Sequence, residues 1–348
     1  MDHDDAQALA ASAGLRYADS SMKWRRRIGR GRGFTYREPD GSPTDEHTRD
    51  WIETLAIPPA WAKVEIAARR DSHLLVTGHD SAGRKQYIYH PAWEDLRQEV
   101  KFSRMRDFGD RLARLRKRVD ADLRRVGLPR VKVVALSVAV LDRTLIRVGN
   151  RRSAANAEAY GLTTLTTDHV EVNGSQVHFE FLGKGGSESV VAFNDRRLAA
   201  LIARCDELSG QTLFSYTADD VVSSVGSGDV NAYLVEAMRG RFTAKDFRTW
   251  GATTTVVGEL ADAAPDDPES RVLDAVDAAA ARLGNTRDVC RQAYVHPAAI
   301  EAYRDGRLRE AWRRSRNGMW LQRAESAVVK VLPTEPDEAR LNNGGSER

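Results

Sequence analysis

The period of the apolar residues changes partway along this chain, and that change limits what the chain can fold into. Between residues 62 and 90 they alternate, as Val64, Ile66 and Ala68 and then, more loosely, Leu74 and Val76. Alternation is the signature of a strand with one buried face. The turn at Asp80-Ser-Ala-Gly-Arg84 closes a hairpin onto Gln86 to Tyr89. From residue 102 the spacing is helical, with Phe102, Met105, Phe108, Leu112, Leu115 and Val119 on one face. Strands followed by helices imply an α+β chain or separate domains. The 348 residues leave room for two. We expect a small β-rich N-terminal domain over 1–95 and a larger, mostly α-helical domain over 96–332. A polar tail at 333–348 is expected to be disordered.

Several classes are excluded early. The longest apolar stretch, Val133 to Leu141, is far short of the roughly 20 residues a membrane span needs. The first residues, Met1-Asp-His-Asp-Asp5, are acidic where a secretory signal would be basic and then apolar. Two cysteines, Cys205 and Cys290, cannot build a disulfide scaffold or a Cys-rich metal site. The expectation is a cytoplasmic protein with no membrane partner.

The formal net charge is only +3, but it is unevenly distributed. Residues 101–152 hold 16 Lys/Arg against 5 Asp/Glu, mostly arginine. Such a stretch suits a polyanion, and arginine suits bidentate phosphate contacts. Solvated helix faces would look the same. Lys23 to Gly33 reads as an irregular basic loop.

Residues 131–146 read as a helix between Pro129 and Gly149, with Val134, Val138, Leu141 and Leu145 on one stripe. Val170-Glu-Val172, Asn173-Gly174 and the alternating Val177, Phe179 and Phe181 predict a hairpin. The Gly183-Lys-Gly-Gly186 turn leads to a third strand near residues 188–193. The remainder reads as helical. Thr243-Ala-Lys-Asp246 opens one helix as a variant capping box, and Asn285-Thr-Arg-Asp288 opens another, with Asn285 a good N-cap.

Four positions stand out together: Arg147 at a helix end, Lys184 on a glycine-flanked turn, Arg248 in Lys245-Asp-Phe-Arg248, and Tyr294 in Ala293-Tyr294. With Pro58-Pro-Ala-Trp61, Thr77 to His90, Leu145-Ile-Arg147, Gly161-Leu-Thr-Thr164 and Gly183-Lys184, they form an ordered set over roughly 240 residues. In this set the chain resembles a type IB DNA topoisomerase, most like the compact poxvirus and bacterial branch.

The resemblance implies a two-domain clamp around double-stranded DNA, a tyrosine recombinase/topoisomerase IB-like catalytic fold with a three-stranded antiparallel sheet, and a nucleoid-associated monomer. It implies relaxation of positive and negative supercoils through a 3′-phosphotyrosyl intermediate, without ATP or metal and with no cofactor. Tyr294 would be the nucleophile, Arg147 and Arg248 the cations on the non-bridging oxygens, Lys184 the general acid, and Lys245 a phosphate contact or aid to proton transfer. Where many relatives place a histidine nine residues before the nucleophile, this chain has Asn285. Arg84, Lys85, Gln86, Tyr87 and Tyr89 would face DNA, and the 101–152 stretch would line the groove. The residue types suit this chemistry on their own terms. Charge builds on non-bridging oxygens in the transition state, and fixed guanidinium groups can meet it. A tyrosine, with pKa about 10, ionises more readily beside cations.

Two other readings remain. A tyrosine recombinase uses the same chemistry, but usually has His-x-x-Arg where this chain has Lys245-x-x-Arg248. A non-catalytic DNA-binding protein could share the scaffold. Gly183-Lys-Gly-Gly-Ser lacks the spacing of a phosphate-binding loop, so no nucleotide is implied.

Overall fold

A computed structural model describes residues 3–19, 21–31, 33–150, 159–208, 210–219, 221–261 and 268–334. The expected tail therefore lies almost wholly outside the described residues, as do Arg32, Arg151 and Arg152. The chain forms two compact units, Met1–Phe102 and Ser103–Arg348.

The first unit is built on a five-stranded antiparallel sheet of order β2-β1-β3-β4-β5. Its strands are β1 (Trp24–Arg30), β2 (Gly33–Arg37), β3 (Ala62–Ala67), β4 (Leu74–His79) and β5 (Lys85–Tyr89). Three helices accompany it: α1 (His3–Ser12), α2 (Glu46–Thr54) and α3 (Pro91–Ser103). Ile52 of α2 packs against Val64, Ile66, Leu75 and Val76. The alternation seen in the sequence is thus the buried face of β3 and β4.

The basic segment from Lys23 to Gly33 is not an irregular loop. It forms β1 and the start of β2, in register from Arg26↔Arg37 to Arg30↔Gly33. No apolar alternation marks β1, because arginines do the packing. Arg25 Nε donates to Glu38 Oε1 at 2.7 Å, and its Nη1 donates to the Ala67 carbonyl at 2.8 Å. Arg27 caps the Pro58 carbonyl at 3.1 Å and lies 4.1 Å from the Phe34 ring centroid. The unit ends at Phe102 instead of residue 95 because α3 belongs to it. Trp93 of α3 is buried against Ala6, Ala10 and Leu15.

The second unit has ten helices among the described residues: α4 (Met105–Leu123), α5 (Arg130–Thr144), α6 (Arg196–Asp206), α7 (Ser227–Met238), α8 (Ala244–Ala261), α9 (Pro268–Leu283), α10 (Arg287–Ala293), α11 (Pro297–Arg304), α12 (Arg307–Arg313) and α13 (Arg323–Val331). The three-stranded antiparallel sheet has the order β6 (Val170–Asn173), β7 (Gln176–Leu182), β8 (Glu188–Asn194). A short ribbon of β9 (Ser215–Ala218) and β10 (Val221–Ser224) interrupts the stretch expected to be purely helical. Four-residue strands give too few alternations to be read from sequence.

Helix α5 is buried on nearly every side, not along one stripe. It is the central helix, and an all-round apolar surface is what that place requires. Helix α8 is buried continuously from Asp246 to Thr254. Side chains leaving α5 and α8 therefore start from rigid, dry supports. Among the described residues no helix is long and apolar enough to cross a membrane.

Many cations of the 101–152 stretch are paired, although Arg114, Lys117, Arg124, Arg125 and Arg130 remain exposed. Along α4, Arg111 pairs with Asp107 at 2.6 Å, Arg116 with Asp142 at 2.7 Å, Arg118 with Asp122 at 2.7 Å and Arg124 with Asp120 at 2.7 Å. Farther on, Arg143 pairs with Asp195 at 2.9 Å, and Lys132 donates to the Arg125 carbonyl at 2.6 Å.

Candidate active site

Arg147 lies beyond α5 and not on its last turn. The helix stops because Leu145 adopts a left-handed conformation, φ 58° and ψ 17°. The chain then runs outward through Arg147 and is held by residues 161–164. Leu162 N donates to the Arg147 carbonyl at 2.8 Å and Thr163 N to the Val148 carbonyl at 2.8 Å. A Cβ on Gly161 would lie 2.5 Å from that Arg147 carbonyl, so glycine is required there. This gives the Gly161-Leu-Thr-Thr164 motif a physical task, which is to clasp the backbone that presents Arg147.

Arg248 projects from the first third of α8 and is 5% exposed. Its Nη1 donates to the Leu145 carbonyl at 2.7 Å and its Nη2 to the Leu283 carbonyl at 2.9 Å. Its Nε is buried and has no hydrogen-bond partner among the described residues. Its Cζ lies 5.0 Å from the Tyr294 ring centroid. Burial lowers its pKa, the Arg147 charge adds to that, and Tyr294 opposes it. An arginine remains charged even so.

Asn285 does not cap a helix. Thr286 caps α10 by accepting from Val289 N at 3.4 Å, and Asn285 stands one residue ahead. Its side chain is thereby released for the site. Asn285 Oδ1 accepts from Arg147 Nη2 at 2.9 Å, and the buried Nδ2 has no partner among the described residues. Tyr294 closes the same helix. Its N–H donates to the Cys290 carbonyl at 2.9 Å, and its carbonyl accepts from Thr253 Oγ1 at 3.3 Å. That hydroxyl also accepts from His296 N at 3.0 Å, pinning the Tyr294 turn to α8. Thr253 has no sequence signal, being one of three consecutive threonines. Cys290, four residues before Tyr294, is fully buried, and burial pushes its thiol up to about 11.

Lys184 occupies the turn between β7 and β8. Gly186 N donates to the Gly183 carbonyl at 3.1 Å, and Gly185 and Gly186 have φ of 83° and 76°. Only glycine adopts such angles without strain. The turn leaves Lys184 exposed beside a cavity of about 150 Å³ that Arg147, Lys184 and Arg248 line together. Lys245 is exposed on the opening turn of α8 and is not among the residues lining that cavity. Arg147, Lys184 and Arg248 are thus gathered at one cavity, with Asn285 joined through Arg147 and Tyr294 through Arg248.

In the first unit, Asp80 organises the turn before β5. It accepts from Arg84 Nε at 2.9 Å and Gln86 Nε2 at 2.8 Å. Lys85 Nζ lies 5.7 Å from the Tyr87 ring centroid. Tyr87 and Tyr89 stack at 6.0 Å on one face of the strand, and Gln86 takes the other. The tyrosine stack is packing, but it leaves Tyr87 46% exposed.

These cations, the amide and the phenol form a constellation able to hold a tetrahedral anion beside an oxygen nucleophile. Residues 90–316 match the family described as "Eukaryotic DNA topoisomerase I, catalytic core". Residues 33–80 match "Bacterial DNA topoisomerase IB, N-terminal domain". The chain is 29% identical over 266 residues to DNA topoisomerase 1B of Acanthamoeba polyphaga mimivirus, covering 73% of this chain and 79% of that protein. It is 29% identical over 137 residues to DNA topoisomerase 1 of Drosophila melanogaster, 38% of this chain and 14% of that protein. With DNA topoisomerase 1 of Mycosarcoma maydis it shares 25% identity over 247 residues, 63% of this chain and 24% of that protein.

Proposed function

Because the chain belongs to the type IB DNA topoisomerase family, we propose that it relaxes supercoiled duplex DNA through a covalent bond to Tyr294. The Tyr294 hydroxyl oxygen attacks a backbone phosphorus and passes its proton to water. The bond from phosphorus to the 5′-oxygen breaks, leaving a 3′-phosphotyrosyl linkage and a 5′-hydroxyl. Lys184 supplies the proton that the departing oxygen needs. After strand rotation the 5′-hydroxyl attacks, and the linkage to Tyr294 is released. One phosphodiester replaces another, so no external energy source is required.

The observation that carries this reading is a pair of buried donors with no partner among the described residues, Arg248 Nε and Asn285 Nδ2, beside Arg147 and Tyr294. A buried donor left unpaired costs about 1–3 kcal/mol, so folded proteins seldom keep one idle. A phosphate gives both a partner. Charge on its non-bridging oxygens rises in the transition state, and these donors and the two guanidinium groups then bind it most tightly. Asn285 contributes one neutral hydrogen bond and, through Oδ1, orients Arg147. Lys245, one turn before Arg248, is assigned to a neighbouring phosphate or to assisting proton transfer. Arg84, Lys85, Gln86, Tyr87 and Tyr89 are assigned to duplex contact, where Gln86 can read adenine. We assign the chain action as a monomer on nucleoid DNA, because one chain supplies every residue given a role above.

The test is Tyr294→Phe on supercoiled plasmid. The variant should bind with steep salt dependence, form no denaturant-stable protein–DNA adduct and relax nothing. Wild-type adducts should map to the peptide containing Tyr294. Relaxation by the variant at the wild-type rate ends the assignment.

A further inference from the structure

Next to the catalytic cavity lies a larger one of about 640 Å³, and both have Leu145 and Arg282 in their walls. Arg116, from the middle of α4, lines the larger cavity. Its Nε donates to Asp142 Oδ2 at 2.7 Å and its Nη2 to Asp142 Oδ1 at 2.9 Å. Nη1 and Nη2 donate to Glu325 Oε2 and Oε1, both at 2.7 Å. Nη1 also donates to the Trp320 carbonyl at 2.7 Å. A guanidinium has five N–H donors, and all five are used here. The Arg116, Asp142 and Glu325 side chains are only 21%, 18% and 6% exposed.

A buried ion network is not by itself evidence of stability, because apolar replacements are often as good or better. Such a directional arrangement needs another reason, and its arms supply one. Asp142 lies near the end of α5, three residues before Leu145 and five before Arg147. The Leu145 carbonyl holds Arg248 Nη1. Glu325 Oε1 also accepts from Trp250 Nε1 at 3.2 Å, two residues past Arg248 on α8. Between these arms the packing has no slack, since a Cβ on Gly251 would meet Leu145 Cδ1 at 2.3 Å. One guanidinium therefore ties together the two backbone segments that present Arg147 and Arg248.

We propose that Arg116, acting through Asp142 and Glu325, is a positioning residue that sets the spacing of Arg147 and Arg248 at the reacting phosphate. Helix α13, which carries Glu325, is thereby part of the catalytic apparatus, although it lies beyond residue 316, where the family match ends. The inference rests on the roles assigned above to Arg147 and Arg248.

The experiment compares Arg116→Met, Arg116→Lys and Glu325→Gln with the full-length wild type on supercoiled plasmid. It measures kcat, KM for plasmid and thermal unfolding in parallel. A misplacement of about 1 Å can cost on the order of 100-fold in rate, so Arg116→Met should lower kcat roughly 10- to 100-fold. KM should stay at its wild-type value, and the protein should remain folded at the assay temperature. Arg116→Lys keeps the charge but not the two forks, and should not rescue kcat. A folded Arg116→Met with wild-type kcat overturns the proposal. So does a kcat that falls only in step with the folded fraction. If Arg116→Met does not fold, Glu325→Gln decides, because it weakens one fork and retains an acceptor for Trp250. Its kcat should fall with KM unchanged, and an unchanged kcat overturns the proposal. Arg147→Ala and Arg248→Ala serve as controls. If they relax plasmid normally, the reading of the site has failed; if they are inactive while Arg116→Met is not, only the positioning inference has failed.

Discussion

The arginines of α4 and those of the catalytic cavity carry the same guanidinium and do opposite work. On α4, Arg116 holds Asp142 and Glu325 in bidentate pairs with all its donors engaged, and Arg118 gives one bond each to Asp122 and Glu236. At the cavity, Arg248 is buried with its Nη1 and Nη2 on backbone carbonyls, and among the described residues no carboxylate pairs with it. Arg147 likewise leans on a neutral amide. Among the described residues carboxylates pair with the α4 set, whereas the bonds of Arg147 and Arg248 go to an amide and to carbonyls, although Glu188 lines the same cavity. The lesson is that a cation's function here is set by which acceptor meets it: a carboxylate makes it a brace, and a carbonyl or amide leaves it ready for an anion.

Arg248→Ala should break the contrast most severely. It removes two anchoring bonds and the charge facing Tyr294, and should lower the rate of adduct formation by about 100- to 1000-fold or more, the range for losing one transition-state donor. Single-turnover cleavage of plasmid measures this. Normal cleavage would mean that the cavity's arginines are braces after all.

Asn285→His sharpens the comparison at the neutral contact. Asn285 Oδ1 accepts from Arg147, and an imidazole can accept only when neutral. With an ordinary histidine pKa of about 6.5, the variant should be active above that pH and lose activity below it. The wild type should show no such step, and a flat pH–rate profile for the variant would reject the acceptor role.

The smallest effect concerns the braces, read as stability. Burial works to raise the Glu325 pKa, but the hydrogen bonds and charge of Arg116 outweigh it and hold it below the ordinary 4.5. A carboxyl depressed in the folded state stabilises above its unfolded pKa, and that contribution disappears as pH falls through the folded value. Thermal unfolding of the wild type should therefore weaken, as pH falls below about 4.5, more steeply than that of Glu325→Gln. Parallel acid profiles would show that the brace stores little charge-dependent stability.

Much of the fold was legible because period and turn chemistry are local. The Val64/Ile66 alternation, the Asn173-Gly174 turn and the Phe108 to Val119 stripe each became the element they suggested. The β1 strand was not legible, since arginines paired with Glu38 and with carbonyls replace the apolar alternation that marks a strand. For the site, Arg147, Lys184, Arg248 and Tyr294 could be named from their motifs. Asn285 could be named from its place nine residues before Tyr294, but its rival reading as a cap stayed open because nothing local shows that Thr286 takes that role. Thr253 and Glu325 carried no signal, since their partners are 41 and 75 residues away.

The amino-acid sequence by itself determined the order of strands and helices, the glycine turns and the types of side chain available for chemistry. Only the tertiary structure decided which of many arginines would meet a carboxylate and which would be buried against carbonyls with a donor to spare. The physical reason is range. Helix period and turn conformation are set within a few residues, whereas desolvation and charge pairing depend on groups brought together from distant parts of the chain.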